Sequence, residues 1–77
     1  MVVKSEMVLD CKGLSCPMLI DSLAEAMERL GPGQVLKMLE TDPDSRKAVL
    51  AWCEVTGNEL LETVEEDRVY KFYIKKI

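Results

Sequence analysis

The first patterned stretch, Met7-Val8-Leu9-Asp10-Cys11, is a short apolar run of strand type that Gly13 brings to an end. From Pro17 to Leu30 the period lengthens. Ile20, Leu23, Ala24, Met27 and Leu30 recur at helical spacing, while Asp21, Glu25, Glu28 and Arg29 occupy the opposite face. Glu25 and Arg29 stand one turn apart, placed for an ion pair. Gly31-Pro32-Gly33 stops this helix, because glycine closes a helical C-terminus and proline cannot continue it. Val35-Leu36-Lys37-Met38-Leu39 then reads as a second strand, apolar enough to be central in a sheet.

Thr41-Asp42-Pro43-Asp44 has the composition of a helix start, with an aspartate cap and a proline in the first turn. The second helix is expected to reach about Val55, with Val49, Trp52, Cys53 and Thr56 inward and Arg46, Lys47 and Glu54 outward. Gly57-Asn58 ends it. Leu60–Val64 is a third strand, and Glu65–Arg68 a tight connection. From Val69 to Lys76 the chain alternates, Tyr70, Phe72 and Ile74 against Lys71, Tyr73 and Lys75. So short a connection makes the last two strands antiparallel.

The order is β-α-β-α-β-β. A right-handed crossover makes the first two strands parallel and lays both helices on one face of the sheet. The expected fold is an α+β two-layer sandwich with a mixed four-stranded sheet, one domain over residues 1–77.

Composition narrows the function. The chain is 48% hydrophobic and 31% charged, a globular mixture, and its net charge of −4 argues against binding nucleic acid by phosphate neutralisation. No apolar run is long enough to span a bilayer, and residues 1–6 lack the apolar stretch of a signal peptide. Three cysteines cannot complete a disulfide framework within one chain, and with no histidine their spacing matches no standard zinc site. A cytoplasmic protein with no metal is expected.

One stretch remains that helix and strand patterns do not absorb: Gly13-Leu14-Ser15-Cys16-Pro17. Proline is favoured at the first helical position, which puts Cys16 at the N-cap beside free backbone N–H groups. The positive end of the helix dipole favours a thiolate, so a nucleophile can form there without a histidine. The bland alternative is a small buried core residue, the common fate of a free cysteine. Cys11 and Cys53 read as packing residues. A Cys11–Cys16 disulfide is conceivable, although the spacing is not that of a C-x-x-C motif. Asp42 is explained by capping, and Glu62, Glu65, Glu66 and Asp67 by a solvated strand end and turn.

The sequence resembles the TusA family of sulfur-carrier proteins, also called SirA-like. The resemblance rests on Leu9-Asp10 followed by Gly13-Leu14-x-Cys16-Pro17, on Pro32-Gly33 and Asp42-Pro43, and on Trp52-Cys53 ahead of Gly57-Asn58-Glu59-Leu60. It runs through nearly the whole chain and implies the same two-layer fold. In that family a cysteine within a Cys-Pro-x-Pro motif carries sulfur as a persulfide; here the cysteine is Cys16, Pro17 and Met18 follow, and Leu19 stands where the family has a second proline.

The resemblance therefore implies a relay on Cys16, with Gly13, Pro17, Met18 and Leu19 shaping the start of the helix. The chain would be a sulfurtransferase-like carrier rather than a stand-alone enzyme. Sulfur would come from a cysteine desulfurase or rhodanese-type protein and pass to an acceptor cysteine, as in tRNA thiolation or sulfur metabolism. It implies no cofactor, no direct contact with nucleic acid or membrane, and a monomer. Two other functions share this fold: a non-catalytic binding or regulatory module, and a thiol redox protein using Cys11 with Cys16.

Overall fold

A computed structural model of the protein describes residues 5–15 and 17–77. Its elements follow the expected order: β1 (Met7–Asp10), α1 (Met18–Glu28), β2 (Val35–Glu40), α2 (Ser45–Thr56), β3 (Glu59–Glu66) and β4 (Val69–Lys75). The sheet order is β1-β2-β4-β3. β1 runs parallel to β2, and β4 lies antiparallel between β2 and β3.

Both helices pack on one sheet face, where Leu36, Met38, Phe72 and Ile74 meet Leu19, Leu23, Met27, Val49 and Cys53. Each of the larger apolar side chains removed from water there contributes about 1.5–3 kcal/mol. On the other face Lys37 lies 5.9 Å from the ring centre of its cross-strand neighbour Tyr73, a cation–π contact.

Several boundaries differ from expectation for local reasons. The buried stripe of α1 is Leu19, Leu23, Ala26 and Met27, so the helix is rotated by about one residue, with Ile20 and Ala24 at its margin. Its C-terminal end is closed from outside, by the Lys76 ammonium donating to the Leu30 carbonyl at 2.7 Å. Asp42 is not the cap of α2. Its carboxylate accepts the Asp44 N–H at 3.0 Å in an Asx turn, and the helix begins at Ser45. Thr56 is exposed, its hydroxyl spent on the Trp52 carbonyl at 2.8 Å. Gly57 closes α2 as expected, at φ 83°, with its N–H on the Cys53 carbonyl.

β3 is longer than its apolar core because pairing continues to Glu66. The hairpin loop is only Asp67-Arg68, both residues at positive φ, the backbone that a two-residue turn needs to match strand twist. A register shift between Leu60 and Glu62 leaves Leu61 exposed while Leu60 packs on the core.

Candidate functional site

The loop joining β1 to α1 is pinned at both ends. Cys11 prolongs the β1–β2 pairing, its N–H donating to the Leu39 carbonyl at 2.8 Å, and its side chain is 1% exposed. The Leu14 N–H then reaches back to the Cys11 carbonyl at 3.0 Å, forming a turn with Gly13 at its third position. Gly13 has φ 86°, a conformation any side chain would strain, although a Cβ there would meet nothing within 4 Å. The Asp10 carboxylate accepts the Lys12 N–H at 3.0 Å, and the Lys12 ammonium stands 3.9 Å from the same carboxylate.

At the far end Leu19 is the anchor. Its side chain is fully buried, and its N–H donates to the Ser15 carbonyl at 3.1 Å. A proline at this position could make neither the bond nor the same packing. The Leu19 N–H is thus already paired at the helix start. α1 begins one residue later than expected, with Pro17 at the N-cap position and no side chain capping it. The Asp21 N–H bonds the Pro17 carbonyl at 3.1 Å.

Between these anchors the chain faces water. Ser15 and Pro17 are exposed, and Met18 is 60% exposed. The N-cap position expected for Cys16 is held by Pro17, and residue 16 itself lies outside the described residues, so the surroundings of its sulfur are not part of this structure. Of the other expected site residues, Gly13, Pro17 and Met18 line the exposed loop and helix start, whereas the Leu19 side chain belongs to the core.

Cys11 and Cys53, the two described thiols, are poor nucleophiles. Burial, reinforced by the nearby Glu40 and Asp10 carboxyls, pushes the Cys11 thiol up to about 11. Burial alone pushes Cys53 up to about 11. Both stay protonated at neutral pH.

Beneath the loop lies a group that the sequence pattern did not single out. Glu40, the last residue of β2, is fully buried. One carboxyl oxygen accepts the N–H groups of Thr41 at 2.8 Å and Asp42 at 3.3 Å. The other, like the buried Ser45 hydroxyl, has no hydrogen-bond partner among the described residues. Burial raises the Glu40 carboxyl above the ordinary range, and the two N–H bonds oppose that rise. The Thr41 hydroxyl in turn accepts the Gly13 N–H at 3.0 Å, tying the β2–α2 junction to the loop. A signal for Glu40 was present: it keeps the alternation of Leu36 and Met38.

The family model described as Sulfurtransferase TusA matches residues 7–76. The chain belongs to the TusA family. Among TusA relatives, the sulfur carrier protein TusA of Allochromatium vinosum is 43% identical over 68 residues, covering 88% of this chain and 90% of that protein. The sulfur carrier protein TusA of Pseudomonas aeruginosa strain PAO1 is 38% identical over 69 residues, covering 90% and 87%. The fold agrees with a solved SirA-like neighbour. The crystal structure of a SirA-like protein from Desulfitobacterium hafniense superposes with a TM-score of 0.79 at 27% identity, covering 90% of this chain and 95% of that one. Among the described residues no helix is long and apolar enough to cross a membrane.

Proposed function

We propose that this protein is a sulfur carrier that holds sulfur as a persulfide on Cys16 and hands it to an acceptor protein. The observation that carries the reading is the exposed Ser15, Pro17 and Met18 segment, held between the Gly13 turn and the buried Leu19, in a chain whose relatives bear the name sulfur carrier. An exposed loop running into a helix start is where a partner's sulfur can meet a thiol, and the helix end there favours a thiolate.

The Cys16 thiolate attacks the terminal sulfur of a donor persulfide. The donor's S–S bond breaks, a new S–S bond forms on Cys16, and the donor cysteine leaves as thiolate. One sulfane sulfur moves, and no net oxidant or reductant is consumed. The second transfer repeats this with an acceptor thiolate attacking the outer sulfur. Suitable donors are a cysteine desulfurase or a rhodanese-type protein. Acceptors are cysteines of a tRNA-thiolation or sulfur-metabolism protein. The carrier works as one domain, as a monomer, in the cytoplasm.

Incubation with a cysteine desulfurase, cysteine and pyridoxal phosphate, followed by intact mass, tests this directly. The expected product gains one sulfur atom, localised to Cys16 by peptide mapping, and Cys16→Ser gains none. Sulfur found equally on the Cys16→Ser variant, or on neither protein, defeats the proposal.

A further inference from the structure

Glu40 presents an imbalance. A fully buried carboxyl with one oxygen unpartnered among the described residues weakens a fold, since the same strand position filled by an apolar side chain would lose no hydration. What the other oxygen does is local and directional. It holds the backbone N–H groups of Thr41 and Asp42 together, which fixes the chain at Thr41. Thr41 is β-branched and stiff at χ1, so fixing its backbone also aims its hydroxyl. That hydroxyl accepts the N–H of Gly13, 28 positions earlier in the chain and at the positive-φ point of the loop.

We propose that Glu40 is a positioning residue for the thiol loop: by aiming the Thr41 hydroxyl at Gly13 it holds the turn at Gly13 from which the loop continues to Ser15. This rests on the reading of Cys16 as the sulfur-carrying residue. Glu40 touches no reacting atom. Its contribution to the loop runs through Thr41 and Gly13, and its buried carboxyl is retained in spite of a stability cost because an apolar residue cannot hold two N–H groups at once.

The test compares Glu40→Met, which fills a similar volume without an acceptor, with Glu40→Gln, which keeps one, in the full chain. Three quantities are read: Gly13 amide hydrogen exchange by NMR, the urea midpoint, and the rate of sulfur loading by a desulfurase. In Glu40→Met the Gly13 amide is expected to exchange about tenfold faster, in keeping with loss of one hydrogen bond, with slower loading and no lower midpoint. Glu40→Gln restores both Gly13 protection and loading.

Thr41 is exposed, so Thr41→Val provides a variant that folds whatever happens at Glu40. It should release Gly13 to the same degree, and Thr41→Ser, which keeps the hydroxyl without the β-branch, should release it less. Unchanged Gly13 exchange in Glu40→Met overturns the inference, as does a rise that tracks a fall in the urea midpoint. Unchanged loading alongside a released Gly13 overturns it too. A wild-type protein that takes no sulfur while Gly13 still responds overturns the carrier reading instead.

Discussion

The Leu19 N–H donates to the Ser15 carbonyl at 3.1 Å, and the Leu19 side chain is sealed in the core below. One residue therefore closes the first turn of α1 and fastens that turn to the sheet. Where the TusA pattern has a proline, this chain holds its helix start by packing and one hydrogen bond instead of by a restricted φ.

Leu19→Pro is accordingly expected to be costly here. It deletes a buried aliphatic side chain and a backbone bond together, for a loss of about 3–5 kcal/mol. Leu19→Ala, which keeps the N–H, should lose about 2–4 kcal/mol. Urea unfolding of the pair separates packing from the bond. Equal midpoints for Leu19→Pro and the parent would show that Leu19 anchors nothing.

The two buried thiols give the fold a limit in alkali. Each has its folded value raised from 9.0 to about 11, so the unfolded chain releases these protons first as pH rises. The stabilisation they provide is complete below pH 9 and disappears as pH climbs through about 11, on the order of 2 kcal/mol per thiol. Urea midpoints should fall across that window, and Cys53→Ala should show a shallower fall than the parent. At pH 8 iodoacetamide should leave Cys11 and Cys53 unlabelled in the folded protein, and labelling at the rate of free cysteine would contradict their burial.

The Asp67-Arg68 turn holds two non-glycine residues at φ 52° and 66°. Left-handed backbone costs a residue with a Cβ roughly 1–2 kcal/mol, and less for aspartate than for arginine. Arg68→Gly should therefore stabilise the protein by about 1 kcal/mol, which is about 4–8 °C in melting temperature for a domain of this size. A lower melting temperature would mean that the arginine side chain contributes more than its backbone costs.

Gly57 offers the reverse case. A Cβ there would touch nothing within 4 Å, so only its φ of 83° resists substitution. Gly57→Ala should cost about 1 kcal/mol, read from the same melts, and a neutral result would exclude a strained C-cap.

Period and punctuation were enough to read the layout of this molecule. Gly31-Pro32-Gly33 and Gly57 divide it where the sequence pattern places the breaks, and the alternation from Tyr70 to Ile74 is the buried face of β4. Long-range contacts explain what was not legible. The stripe of α1 rotates because Leu19, beside the loop, packs inward, and no local spacing distinguishes it from Ile20. The hairpin itself was legible, but its two-residue loop was not, because the turn lacks glycine and asparagine, the usual signals of positive φ. Around the candidate site, Cys16 stands out through Gly13 and Pro17, yet the tie from Thr41 to Gly13 joins segments 28 residues apart and no motif announces it.

The sheet order has a consequence for how the chain is made. β4, last of the strands to emerge from a ribosome, fills the gap between β2 and β3. Until β4 is in place, the apolar strand Val35–Glu40 therefore has one flank unpaired. An unpaired apolar flank of that kind invites pairing with another chain, so the arrival of β4 both completes the sheet and removes that opening.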